Sequence, residues 1–293
     1  MTDVLLVTCA ELPEGEPRGD LLVKELAARG LTAAWVVWDD PAVDWAGARA
    51  AVVRSPWDYE RRRDEFVSWA HRAGALTTLV NSAEVLCWNT DKRYLLDLVA
   101  AGLPVVPTLV AEDESELGPV IAEFATAVVK PTVGAGGRGV VLFDLEPGGP
   151  EGIDESRLGP GPWVVQPLVQ SVRTEGETSV FVLGDEVVSQ VGKRPAGGEI
   201  RVHEEYGGRS DAVPVTEEAR ELALRTVATA QDLLGTRFGY ARVDLMRGDD
   251  GTLLVSELEV ADAGLYLHLV PENAPALAEA VFRLLETADG AGT

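Results

Sequence analysis

Cysteine, histidine and lysine are all scarce in this 293-residue chain, and each scarcity excludes something. Two cysteines, Cys9 and Cys87, cannot build a disulfide framework, and neither belongs to a C-x-x-C pair. They read as reduced thiols and point to a cytoplasmic protein. The three histidines, His71, His203 and His268, lie too far apart in sequence for a zinc spacing and read as structural or surface residues. No apolar run approaches the roughly 18 residues of a membrane span. The first residues lack the basic region of a signal peptide, and no G-x-S-x-G elbow marks a serine hydrolase. Positive charge is short as well: 25 Lys+Arg face 48 Asp+Glu, for a net charge of −23. That balance argues against nucleic-acid or anionic-membrane partners, which need a basic face. Only Lys24, Lys92, Lys130 and Lys193 are lysines; the other basic residues are arginine. Where lysine is this rare, each one needs a reason.

What is present is a globular composition, 46% hydrophobic with 25% charged residues, long enough for two or three packed units. Apolar runs at 4–8, 33–38 and 50–54 read as buried strands, and amphipathic stretches at 19–30 and 60–74 as helices. Such alternation implies a parallel sheet with helices on its faces. Ligands sit at the carboxyl ends of strands in these sheets. Residues 54–59 follow the third strand, so Arg54 and Trp57 are candidates for gripping a substrate. Asn81 and Ser82 cap a short helix, and a stronger one is expected from Thr90–Asp91 to Gly102. Strands are expected at 104–110, 127–130, 163–166, 178–184 and 186–191, with an acidic helix near 113–124. The Pro/Gly-rich acidic stretch 147–161 reads as a solvent loop. A glycine-rich polar segment follows at 192–209. Then come a helix at 216–235, strands at 239–246 and 252–260, and a helix near 275–287 with a frayed end.

Two clusters carry chemistry. Lys130 ends a strand that leads into Gly134-Ala135-Gly136-Gly137-Arg138-Gly139. This fits G-x-G-x-x-G formally, but a strand follows where the dinucleotide motif needs a helix, and no Walker lysine is present. A glycine hairpin between strands lets backbone N–H groups approach phosphates, and Lys130 is positioned to join them. The second cluster is acidic. Alternation puts Arg242, Asp244 and Met246 on one strand face and Glu257 with Glu259 on the return strand. Three carboxylates so close call for a cation, and hard oxygen donors suit Mg²⁺, with Mn²⁺ as a substitute.

In this order the motifs resemble those of the ATP-grasp superfamily of carboxylate–amine ligases. The resemblance implies an α/β chain: a Rossmann-like pre-ATP-grasp domain over 1–88, then a two-lobed α+β grasp domain. Its small lobe would span 89–170 with the glycine loop, and its large lobe 171–293 with the metal site. It further implies that Lys92 and Lys130 bind phosphate with Gly136 and Gly137. Gln166 to Val169 would form the adenine hinge, Glu177 would take the ribose, and Lys193 would join the nucleotide contacts. Asp244, Glu257 and Glu259 would hold the metal, with Glu259 standing where the family commonly has Asn. Arg242 would steady an acyl phosphate, helped by Arg201 from a flap over 192–209. Residues 54–59, 193–195 and 201–208 resemble small ligases of amino-acid-derived metabolites, the cycloserine-type cyclo-ligases of antibiotic biosynthesis among them.

The implied activity is ATP- and Mg²⁺-dependent activation of a small amino-acid-like carboxylate as acyl phosphate, then C–N bond formation with release of ADP and phosphate. Alternatives are intramolecular cyclisation, phosphoryl transfer to a hydroxyl, and nucleotide binding without catalysis. Small molecules are the expected partners, with room for a homo-oligomer.

Overall fold

The computed structural model describes residues 2–144 and 158–290. Part of the expected solvent loop, 147–157, lies outside the described residues, as do 291–293. The chain begins with β1 (Val4–Thr8), α1 (Asp20–Ala28), β2 (Ala33–Val37), β3 (Ala50–Ser55), α2 (Arg63–Gly74) and β4 (Thr78–Val80). These strands form one parallel sheet in the order β2-β1-β3-β4. The apolar runs of β1 and β3 are buried along their whole length, as expected of strands covered on both faces. In α2 the buried residues Phe66, Trp69, Ala70 and Ala73 follow the helical spacing that packs one stripe inward.

Next come α3 (Ala83–Asn89), capped by Ser82, α4 (Tyr94–Ala100), β5 (Leu109–Ala111) and α5 (Glu114–Ile121). β6 (Thr126–Pro131), β7 (Val141–Asp144) and β8 (Trp163–Pro167) complete a small antiparallel sheet, order β5-β8-β6-β7. The helix expected from Thr90 starts at Tyr94, leaving Lys92 in the connecting loop, where its backbone N–H donates to Thr132 O at 2.7 Å. Alternation along β6 turns Ala127 and Val129 toward α5 and leaves Val128 and Lys130 on the opposite face.

The last unit holds β9 (Glu177–Leu183), β10 (Glu186–Arg194), β11 (Arg209–Val213), α6 (Glu217–Leu234), β12 (Tyr240–Arg247), β13 (Leu253–Glu259) and α7 (Asn273–Gly290). Its antiparallel sheet runs β11-β10-β9-β12-β13. Two strands escaped the sequence reading. β4 is three residues long, and β11 lies at the polar edge of the sheet, where exposed residues interrupt the apolar signal. One face of the sheet packs through Val180, Val182, Ala241 and Val243 against α6 and α4. The other face changes character along its length. Phe181, Leu183 and Tyr240 are apolar and share a core with α1, α7 and the N-terminal sheet. Glu177, Ser179, Arg242 and Asp244, on the same strands and the same face, are polar. One face of the N-terminal sheet packs with α2 in a core of mostly N-terminal residues, and the other shares its core with α1, α7 and the central sheet. Among the described residues no helix is long and apolar enough to cross a membrane.

Candidate active site

The polar half of the central sheet is the floor of a pocket roofed by the small sheet and the glycine loop. Lys92, Lys130, Gly136, Gly137, Gln166, Val169, Glu177, Arg201, Asp244, Glu257 and Glu259, eleven of the sequence candidates, line it. Leu168, Val172, Val202, Val128 and Met246 form an apolar cluster between the two sheets, a slot suited to a flat ring. Gln166 is buried, with Nε2 donating to Thr108 Oγ1 at 2.8 Å. The β6–β7 hairpin carries the loop as expected. Gly137 has φ +69°, and a Cβ there would lie 3.2 Å from Tyr206 and 3.3 Å from His203 Nδ1. Only glycine lets this loop and the 195–208 segment approach so closely. Lys92 Nζ donates to Gly134 O at 2.7 Å, and Lys130 Nζ reaches Glu257 Oε1 at 3.0 Å.

Beneath the pocket, strand register assembles an ionic cluster: Asp244 faces Glu257 and Ser179, Arg242 faces Glu259, and Lys193 faces Glu177. Arg242 clasps Asp244 with two nitrogens, at 3.0 and 2.9 Å, and also pairs with Glu259. Burial opposes the charge on Asp244, but Arg242 and Lys193 outweigh it and hold the carboxyl well below the usual range. Burial likewise opposes Glu257, yet Lys92 and Lys130 draw it down to about 2. Glu259 goes the other way, pushed up to about 8 by burial, against the pull of Arg242 and with the help of Asp262 and Asp244. Arg201 stacks over Tyr206 at 3.6 Å and pairs with Glu199 at 2.5 Å.

Two sequence expectations fail here. Lys193 does not stand on a flap: it belongs to β10, is 1% exposed, and spends its ammonium on Glu177 at 2.5 Å and Asp244 at 3.3 Å. The segment free of sheet pairing narrows to 195–208. Arg54 does not grip a ligand either. It is fully buried, donating to Glu16 at 2.9 Å and to Ala263 O at 2.6 Å, with its guanidinium 4.7 Å from the Tyr240 ring. It ties the N-terminal sheet to the chain after β13.

A second cavity of about 290 Å³ adjoins the first and holds Arg242 and Trp57 in its wall. The two share Ala135, Gly136, Arg138, His203, Glu259 and Asp262. Sequence reading passed over three residues here. Glu60 accepts from Ala135 N at 2.9 Å and pairs with Arg138, anchoring the glycine loop to the N-terminal unit. His203, read as structural, stands on the shared wall with Nδ1 buried and, among the described residues, without a hydrogen-bond partner. Burial, then Lys193 and Arg242, lower its pKa to about 4 and keep it neutral. Burial also raises Asp262 above the usual carboxylate range, against Lys92 and Arg242. A carboxylate three residues beyond Glu259 was the only hint in the sequence.

The cycloserine biosynthesis protein DcsG of Streptomyces lavendulae is 32% identical over 272 residues, covering 88% of this chain and 90% of that relative. The chain belongs to the ATP-grasp ligases. It is an ATP-dependent ligase that forms C–N bonds. The crystal structure of D-cycloserine synthetase DcsG superposes with a TM-score of 0.84 at 30% identity, over 96% of this chain and 99% of that one. Residues 4–81 match the family described as D-cycloserine synthetase DcsG, N-terminal domain, and residues 98–239 match the prokaryotic glutathione synthetase ATP-grasp domain. A glutathione synthetase of Synechococcus elongatus is 29% identical over 175 residues, 59% of this chain and 52% of the relative.

ATP-grasp ligases use ATP with Mg²⁺, and the donor chemistry here is compatible with that ion. Asp244, Glu257 and Glu259 offer hard oxygen atoms to one pocket. Among the described residues, no three His, Cys, Asp or Glu side chains converge enough to hold a metal by themselves. The set therefore suits an ion that takes its remaining oxygens from phosphate.

Proposed function

We propose that this ligase activates the carboxylate of a small amino-acid-like substrate in the second cavity and joins it to an amine. The observation that carries this reading is the shared wall: the cleft under the glycine loop and the second cavity meet at Gly136, His203, Glu259 and Asp262, with Arg242 in the wall of the second. Lys92, Lys130 and the amides of Gly136 and Gly137 would neutralise charge growing on the β- and γ-phosphates. Asp244, Glu257 and Glu259 would hold Mg²⁺, with Asp244 the most committed to protein partners. That ion would polarise the phosphate oxygens. Glu177 and the 166–169 hinge would take ribose and adenine. Arg242 would stabilise the oxyanion of the acyl phosphate and of its tetrahedral adduct, with Arg201 closing from the 195–208 segment, which keeps water from the intermediate. The N-terminal unit, Rossmann-like in its parallel sheet, would act as the pre-ATP-grasp domain over 1–88 and close the second cavity. The lobes would be 89–170 and 171–293, and the enzyme would work in the cytoplasm.

Cyclisation, with carboxylate and amine in one molecule, is the second reading. It is favoured by the match to the cycloserine protein over 88% of this chain and 90% of that relative. Hydroxylamine trapping with ATP, Mg²⁺ and an amino-acid panel is the test. A hydroxamate formed together with ADP supports acyl transfer. A stable phosphoester in its place overturns it in favour of a phosphotransferase. Mass spectrometry of the untrapped product, one water lighter than one substrate or than the sum of two, separates cyclisation from condensation.

A further inference from the structure

We infer that the second cavity binds its substrate through an ammonium group, and that the carboxylate of Asp262 is the residue that reads it. This deepens the acyl-transfer reading and rests on it. At about 290 Å³ the cavity has room for an amino acid.

The charges around it are almost all matched within the protein. Glu16 accepts from Arg54 and from Leu265 N; Glu259 pairs with Arg242; Arg138 pairs with Glu60. Glu204 lies 4.0 Å from His268, and Glu205 is exposed to water. Asp262 differs from these. It is half-buried, and among the described residues its carboxylate makes no hydrogen bond or ion pair. Lys92 and Arg242 lie within electrostatic reach, but Lys92 donates to Gly134 O and Arg242 to Asp244 and Glu259. This half-buried carboxylate is therefore left without a direct partner, which is costly.

Its backbone, by contrast, is tightly held. Trp57 Nε1 donates to Asp262 O at 2.9 Å, Arg54 donates to Ala263 O at 2.6 Å, and Leu265 N donates to Glu16 at 2.8 Å. The N-terminal sheet thus fixes where this carboxylate sits, which is how a recognition group is pre-organised. Asp262 lines both cavities, with Arg242 in the wall of the second. A small zwitterion can therefore set its ammonium on Asp262 while its carboxylate meets Arg242 and the phosphate side. Trp57 acts on the substrate indirectly, by positioning Asp262.

Calorimetry with serine and alanine of both hands, beside 3-hydroxypropionate and propionate, which lack the amino group, tests this in the presence of Mg²⁺ and a non-hydrolysable ATP analogue. The wild type should prefer the amino acids, and Asp262→Asn should weaken them roughly 10- to 100-fold, as loss of a charged hydrogen bond does. The acids lacking the amino group and the ATP analogue should be unaffected. Asp262→Glu, which keeps the charge, should retain the preference. An unchanged preference in Asp262→Asn overturns the inference, as does weakened binding of the nucleotide and Mg²⁺ alone, which would make Asp262 a metal ligand. No preference in the wild type overturns it too. Amino-acid binding without any hydroxamate would instead overturn the acyl-transfer reading and leave the ammonium assignment standing.

Discussion

The two ends of one sheet face behave as different materials. Toward α7, the face built by β9 and β12 offers Phe181, Leu183 and Tyr240 and disappears into a core shared with α1. Toward the glycine loop, the same alternation on the same strands offers Glu177, Ser179, Arg242 and Asp244. The apolar end gains from burial itself. The ionic end is tolerated only because opposite charges from four strands interlock across it, through Lys193, Arg242 and their carboxylates. Arg54 shows that a buried arginine is not a catalytic signature: with Glu16 and Ala263 O as partners it is structural. Arg242 is also buried but shares its charge with Glu259, a carboxylate on the wall of both cavities. Both pairs border the second cavity, through Glu16 and Glu259; they differ in that Glu16 is sealed by its bonds to Arg54 and Leu265 N, whereas Glu259 keeps 19% of its side chain exposed.

The contrast is sharpest at the apolar end. Phe181→Ala should cost about 3–5 kcal/mol of stability through the cavity it leaves, with kcat/KM unchanged below the unfolding transition; urea titration and steady-state kinetics read the two. Arg54→Met should lose a comparable amount, about 3–5 kcal/mol, because Glu16 is left charged and buried. Adding Glu16→Gln should return much of that loss, and a double variant as unstable as the single one would show that the arginine acts otherwise. At the ionic end the effects should reverse. Glu257→Gln should reduce kcat about 10²- to 10³-fold with a melting temperature close to that of the wild type. A large fall in stability with kcat preserved would erase the distinction between the two ends. Gly137→Ala is smaller: an αL alanine costs about 1–2 kcal/mol, and its methyl would push the loop from Tyr206 and His203, so KM for ATP should rise several-fold.

The smallest effect is a pH slope. His203 is held at about 4, below the ordinary imidazole value of 6.5. Between these values the unfolded chain binds a proton that the folded one refuses, so stability rises with pH there and the contribution is flat above 6.5. His203→Gln should flatten the rise between pH 4.5 and 6.5 in urea midpoints. Parallel curves for the two proteins would mean that the imidazole protonates freely in the folded state.

Much of this was legible in the sequence because it is written at short range. The parallel N-terminal sheet follows from continuous apolar runs alternating with amphipathic helices. The glycine hairpin follows from strands on both sides of 134–139. The pairing of Asp244 with Glu257 follows from a tight turn and a period of two. What failed did so at long range. Arg54 was placed correctly, at the end of β3, but its partners are 38 and 209 residues away. β11 was missed because a polar edge strand carries little apolar periodicity, and Asp262, Glu60 and His203 came together only when three units met.

Lys130 and Lys193 mark the boundary between the two kinds of knowledge. Each lies near the end of a strand, but the sequence shows this only for Lys130; the glycines around Lys193 make its segment read as a loop. Local alternation determined which face Lys130 takes, as it did for the carboxylates of β12 and β13. Tertiary structure decided what already occupies that face. Lys193 meets Glu177 and Asp244 across the register of the central sheet and is sealed among them, whereas Lys130 looks into the pocket with Glu257. The physical reason is that a residue's direction is set by its own strand, but the charge it finds there is set by strands distant in sequence.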